Sequence, residues 1–559
     1  MILSGVTLRK SAYRLGLAML LGAVALLLIW PLATVLLSWF AAFVSSNTDF
    51  AVLQEMWQTV LPSYALDTVL LCLMVALAAG VIGTSSAVLV TLFDFKGRAF
   101  FEWALLLPLA MPAYVVAYAY TDFLQFSGAV QMWIRNAFSL QGAVLPDIRS
   151  LGGAAFVFAF CLSPYVYLLV RTALTERAGH LMEAARLLGS PLSERLCRVA
   201  VPLARPAIAG GIALVLMETL ADFGVVSYFG VQTFTAGIYK AWLAMDNAIA
   251  AAQLATVLLL IVMLLLKIEH SAQAKMRFAA AKGAKPASGQ SAAVKLAGAS
   301  ARLAQFLCAM PILLGFAIPT LIMLHSLGSQ MKSSDILVPW AAFMQWSGNS
   351  LKLASITAAL AVACGFVLAF LNRTHSNKTY ASKWLGLVTQ LASLGYAIPG
   401  AVIVVGLLLP LAWLQNQFPS LGLGFWLTAT SAGLIWAYLV RFNSVAVQTL
   451  QSGYSRIPKS LDESARMLGA NRIGLLRDVH APLLKRSIIT AALLVFVDVM
   501  KELPATLVLR PFNSDTLAVV AYQLARDERL GEAAVPSLAL VLVGLIPVVM
   551  LSRTLRSKV

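Results

Sequence analysis

Runs of about twenty apolar residues recur along this 559-residue chain, the length a helix needs to cross the hydrocarbon core of a bilayer. In lipid every backbone polar group has to be bonded within the structure, so such runs fold as helices or as closed barrels. Barrel strands alternate in polarity, and these runs do not. With 60% hydrophobic and 12% charged residues, the chain reads as an all-α polytopic membrane protein. Twelve spans are expected: about 15–44, 65–92, 101–122, 151–172, 207–228 and 249–268, then about 303–326, 349–371, 385–411, 426–441, 487–508 and 534–552.

The net charge of +17 does not point to nucleic acid, because the basic residues gather in alternate loops. One set of loops, from Arg9, Lys10 and Arg14 through Lys96/Arg98, Arg171–Arg205, Lys267–Arg302, Arg373–Lys383 and Arg441–Arg486 to Arg553–Lys558, holds about 32 of the 41 Lys and Arg. By the positive-inside rule this set and both termini are cytoplasmic. The first apolar run is too long for a signal-peptide core, so it reads as a retained helix. The cysteines (Cys72, Cys161, Cys197, Cys308, Cys364) show no metal-ligand spacing, and the five histidines are scattered.

A polar loop pattern occurs twice, 280 positions apart. The first copy is Glu183-Ala184-Ala185-Arg186-Leu187-Leu188-Gly189, continuing to Val199 and Pro202. The second is Glu463-Ser464-Ala465-Arg466-Met467-Leu468-Gly469, continuing to Val479 and Pro482. Leu181, Ala184, Ala185 and Leu188, and likewise Leu461, Ser464, Ala465 and Leu468, follow helical i, i+3, i+4, i+7 spacing. Each glycine suits a helix end and each proline the start of the next helix. Ser460 and Glu463 also have capping-box spacing, which offers a purely structural role for Glu463. Six spans in each half make the halves parallel repeats.

On these residues the chain resembles the permease subunits of type I ABC importers, whose EAA…G loop forms a coupling helix that docks on an ATP-binding subunit. The resemblance covers about 65–268 and 345–552, with Ser464 replacing the middle Ala of the second copy. It implies coupling helices at Glu183, Ala184, Ala185 and Gly189 and at Glu463, Ser464, Ala465 and Gly469. It divides the chain into an anchor helix and external loop (1–64), a first transmembrane domain (65–268), a cytoplasmic linker (269–302), a seventh helix and external loop (303–344) and a second transmembrane domain (345–552). The linker is rich in Ala, Lys, Gly and Ser and reads as flexible. The nearest approach to a phosphate loop, Gly453 to Ser460, has Pro458 where a second glycine is needed. No catalytic grouping is visible. The expectation is a transport subunit that binds no cofactor, partnered by two ATP-binding cassette subunits that use ATP and Mg, by a periplasmic substrate-binding protein and by the lipid bilayer, in a bacterial inner membrane.

Acids inside apolar spans are costly, about 2.5–3.5 kcal/mol each at mid-helix. Glu218 and Asp222 stand at i, i+4 in the fifth span, and Asp498 and Glu502 at the same offset of 280 in the eleventh. They are candidates for the translocation path, or for structural pairing with Lys501 and Arg510. Tyr239 and Tyr522 follow Thr233 and Thr516 by six residues in corresponding segments. They either line the path or belong to the interfacial aromatic belt; Tyr114, Tyr118 and Tyr120 either line it or pack. Residues 217–230 (METLADFGVVSYFG), 501–512 (KELPATLVLRPF) and 527–530 (DERL) resemble the fused two-domain permeases of ferric iron importers. Ferric iron is a hard cation that prefers oxygen ligands, and a transiting ion needs weak contacts rather than a stable metal site. Thiamine or another small solute is the alternative cargo. A secondary transporter leaves the paired loops unexplained.

Overall fold

The computed structural model describes residues 22, 25–39, 48–281, 293–332, 339–374, 380–392 and 394–556. The basic N-terminal segment, the middle of the linker (282–292) and Lys378 lie outside the described residues. Helices dominate, and two-residue strands at Phe93–Asp94 and Val294–Lys295 pair in parallel. Of the expected linker the described ends take regular structure: the Ala248–Ala281 helix continues through its first part, and Val294–Lys295 is tied to Phe93–Asp94.

The two repeats are built around the same helix crossing. Leu61–Leu92 approaches Leu151–Leu187 at Gly83, whose added Cβ would lie 2.6 Å from Val166 Cβ and 2.9 Å from the Tyr167 nitrogen. Trp340–Thr374 approaches Ser431–Tyr454 at Gly365, beside Ala446 and Val447. Small residues at these crossings let backbones come close where no hydrophobic effect separates lipid from protein.

The chain forms two compact units, each discontinuous in sequence. One comprises residues 1–49, 246–256 and 344–516. In it the Ala25–Trp39 helix is hydrogen-bonded to the second repeat, with Thr34 Oγ1 donating to the Gly406 carbonyl (2.6 Å) and Trp436 Nε1 donating to the Leu27 carbonyl (2.8 Å). The other comprises residues 50–245, 257–343 and 517–559. Here the Ile318–Lys332 helix packs on Leu530–Arg556, and Ser326 Oγ donates to Asp122 Oδ2 (2.7 Å). Each unit thus joins the central helices of one repeat to outlying segments of the other.

Among the described residues eight helices are long and apolar enough to cross a membrane, or nine if Arg98–Ala110 and Ala113–Phe138, bent by 88°, form one span. Twelve were expected, and the three others have identifiable causes. The described part of the first run, Ala25–Trp39, is short. Ser431–Tyr454 is long but carries Arg441, Asn443 and a polar end. The eleventh run stops at Lys501, after 17 residues, because the chain breaks at Glu502.

Candidate functional site

The two repeated loops fold alike. In the first, Leu188, Gly189 and Ser190 N–H donate to the carbonyls of Ala184, Arg186 and Ala185 at 3.0–3.1 Å. In the second, Leu468, Gly469 and Ala470 donate to Ser464, Arg466 and Ala465 at the same distances. This is the Schellman helix end, which needs a left-handed residue. Gly189 supplies it at φ +79° and Gly469 at φ +87°. A Cβ at either glycine would meet nothing within 4 Å, so the backbone conformation, not crowding, requires glycine.

Both helix ends turn large apolar side chains outward. Leu187 and Leu188 are 88% and 87% exposed, and Met467 and Leu468 are 90% and 89% exposed. Glu183, Ala184 and Arg186 are exposed, as are Glu463, Ser464 and Arg466, while Ala185 and Ala465 are half-buried. The residue that turns inward is Met182 in one copy and Asp462 in the other. Both copies therefore present the same pair of exposed apolar side chains at the helix end.

The second helix runs Lys459–Met467 with Pro458 at its N-cap and no side-chain cap, so Ser460 and Glu463 do not form the capping box that their spacing suggests. Sequence reasoning also missed the π-helical turns that follow both copies, Leu196–Ala200 and Leu475–His480. Pro202 and Pro482 then stand in the first turns of the next helices, as expected.

The intramembrane acids mark helix breaks rather than helix interiors. Val201–Ala221 ends before Asp222, whose Oδ1 accepts from Val225 N–H (2.8 Å) at the start of Gly224–Phe229. Lys485–Lys501 ends before Glu502, whose Oε1 accepts from Ala505 N–H (2.9 Å) and whose Oε2 accepts from Thr506 N–H (3.0 Å) at the start of Pro504–Leu509. A carboxylate at a helix N-terminus satisfies free N–H groups and meets the positive end of the helix dipole. Glu218 and Asp498 lie in the last turns before the breaks, both half-buried. Arg441, counted with the basic loops in the sequence, lies inside Ser431–Tyr454 and donates to Glu502 Oε1 (3.1 Å). Arg510, the partner suggested for Glu502, pairs instead with Asp515 (2.7 Å).

In the unit holding residues 50–245, Tyr239 and Tyr522 are buried rather than set in an outer belt. Both rings meet Phe223, at centroid distances of 4.1 Å and 6.0 Å. The Tyr522 hydroxyl lies 2.9 Å from Ser227 Oγ. Tyr118 packs between Tyr114 (5.7 Å) and Tyr228 (4.7 Å), and its hydroxyl is buried without a hydrogen-bond partner. Tyr114, Tyr522, Tyr228 and Asp222 lie within electrostatic reach of that hydroxyl. Among the described residues, no three His, Cys, Asp or Glu side chains assemble to hold a metal ion.

Comparison with known proteins agrees with the duplicated architecture. The profile of the family described as binding-protein-dependent transport system inner membrane component matches twice, at residues 79–269 and 361–556. The "Fe(3+)-transport system permease protein FbpB 2" of Haemophilus influenzae is 26% identical over 491 residues, covering 87% of this chain and 89% of that protein. The "Probable ABC transporter permease protein y4fN" of Sinorhizobium fredii is 25% identical over 94% of this chain and 92% of that protein. The "Sulfate transport system permease protein CysT" of Escherichia coli is 28% identical over 27% of this chain and 52% of that protein. Two family matches spanning most of the chain, on a helical membrane fold that repeats the same loop, show that the protein belongs to the binding-protein-dependent transport system inner membrane component family, the permeases of ABC importers, and carries the domain twice.

Proposed function

We propose that this chain supplies both membrane-embedded halves of an ATP-driven importer whose cargo is ferric iron. The twin Schellman-ended helices with outward apolar pairs carry this reading. They are the two docking points for two ATP-binding subunits, which bind ATP and Mg, and they face the cytoplasm together with both termini. A periplasmic binding protein delivers the cargo from the other side. Closure of the ATP-binding subunits moves the docking helices, and the π-turn and proline that follow each copy pass the movement to the membrane helices that end at Asp222 and Glu502. Glu218, Asp222, Asp498, Glu502, Tyr239 and Tyr522 are assigned to the translocation path.

Iron as cargo is supported by the phenols and the carboxylate within electrostatic reach of Tyr118, since a hard cation favours phenol and carboxylate ligands. The length over which the chain matches a ferric permease supports it too. The test is uptake of labelled ferric iron, sulfate, aminoethylphosphonate and thiamine by cells with and without the gene, under starvation for each solute and with redundant importers deleted. Loss of iron uptake alone is the expected result. Loss of another solute with iron uptake intact would overturn the cargo and leave the importer reading standing.

A further inference from the structure

The two docking helices are joined to the membrane helices in different ways. In the first repeat Leu151–Leu187 is one uninterrupted helix that runs into the docking end. In the second, Ser431–Tyr454 stops, and the docking helix begins again after Pro458. Proline ends a helix and leaves the carbonyls before it without their usual partners. Arg373, at the end of Trp340–Thr374, bonds to carbonyls on both sides of that break.

All five N–H donors of the Arg373 guanidinium are used. Nη1 donates to the carbonyls of Tyr454 (3.1 Å) and Ile457 (2.9 Å), and Nη2 donates to that of Pro458 (2.9 Å). Nε and Nη2 form a bidentate pair with Asp462 Oδ2 (2.7 Å) and Oδ1 (3.0 Å). The positive charge thus sits at the negative end of the first helix and grips the second. His480, fully buried in the π-turn, completes the cluster. Its Nε2 lies 3.0 Å from Asp462 Oδ1 and its Nδ1 lies 3.2 Å from the Tyr454 hydroxyl.

The first repeat has none of these groups. At the offset of 280, Asp462, His480 and Tyr454 become Met182, Ala200 and Leu174, all buried. In the register set by Gly83 and Gly365, Arg373 becomes Thr91. Three apolar residues and a threonine replace the charged and hydrogen-bonded set where the helix is continuous.

We infer that Arg373, Asp462, His480 and Tyr454 are positioning residues that hold the second docking helix in place across its break, so that the two repeats carry their docking helices by different means. This rests on the reading of both helices as docking points for an ATP-binding subunit. A lysine at 373 does not replace the arginine, because three rotatable donors cannot serve a planar set of five contacts.

The test uses the full chain in lipid nanodiscs, in a Cys197→Ser background, with a spin label at Ser193→Cys or Ile473→Cys, exposed positions outside the apolar pairs, and amide exchange followed in parallel. In R373Q, R373K and D462N, exchange at residues 459–467 should rise on the order of a hundred-fold, with residues 181–187 unchanged. R373Q with D462N should be no worse than either alone. Adding the cognate ATP-binding subunit should immobilise both labels in the parent, but only the Ser193 label in R373Q. Equal effects on both helices would reduce the cluster to general stability, and no effect at 459–467 would refute the clamp directly. If neither parental label responds to the ATP-binding subunit while R373Q still loosens 459–467, the docking reading fails, and with it the positioning role, leaving a structural tie.

Discussion

Arg441 donates to Glu502 at 3.1 Å inside the second repeat, with the glutamate side chain 0% exposed and the arginine 12%. The glutamate also caps Pro504–Leu509, and Thr506 Oγ1, itself 2.6 Å from the Tyr438 hydroxyl, donates to its Oε2 (2.6 Å). Gly400 leaves room for the pair, since a Cβ there would lie 3.0 Å from Glu502 Oε1 and 3.1 Å from Arg441 Nη1. In the first repeat the positions of Tyr438, Arg441 and Thr506 are held by Phe158, Cys161 and Val226, all buried.

Glu502→Gln should lower the unfolding temperature of the purified chain. The amide can still accept from Ala505 or Thr506, but the Arg441 charge loses its counter-ion, a loss of about 3–5 kcal/mol for a buried pair. Adding Arg441→Met should recover much of it. A thermal scan showing E502Q as stable as the parent would contradict the pairing.

Removing hydroxyls at Tyr118 and Tyr522 should slow iron uptake without changing the amount of chain in the membrane. Each Tyr→Phe change deletes one oxygen donor and keeps the ring packing, so about a five-fold loss is expected for one lost contact of about 1 kcal/mol. Uptake kinetics at matched chain levels check this; unchanged rates in the double variant would remove these phenols from the path.

Acid should loosen the helix at residues 459–467 before the helix end at residues 181–187. Burial acts to raise the Asp462 carboxyl, but hydrogen bonds and charge from Arg373 and His480 outweigh it and hold its pKa below the usual 3.8. A depressed carboxylate contributes stability that is fully present above its unfolded value and is lost as pH falls through the folded one. Arg373, His480 and Tyr454 are the charged or titratable groups that face it. Protection of the amides at residues 459–467, corrected for the intrinsic pH dependence of exchange, should therefore be steady from neutral pH to about pH 5 and fall below about pH 4. In D462N that acid-dependent step should be absent.

The paired loops were legible because helix ends have local chemistry: glycine for a left-handed residue, proline for a restart, and a fixed spacing between them. The break at Asp222 and at Glu502 was not, because hydropathy runs straight through both positions and the carboxylates cap N–H groups only once the chain has turned. Arg441 read as a loop charge for a similar reason, since nothing near it in sequence shows that Glu502 lies across from it. Arg373 and Asp462 are 89 residues apart, and only the fold brings them together. Likewise, Tyr522 joins Phe223 because residues 517–559 pack in the unit built on the first repeat, a choice of topology rather than of local propensity.

The most direct test of the account is how much of the cognate ATP-binding subunit stays with this chain when it is purified from membranes, compared between the parent and G189V/G469V. Valine cannot adopt the left-handed conformation cheaply, so both helix ends should unwind and their outward apolar pairs should lose their shared geometry. The account predicts that the variant inserts at normal levels and loses the bound subunit by about ten-fold or more. Retention equal to the parent, with the chain correctly inserted, would contradict the claim that these two helix ends are where the importer is driven.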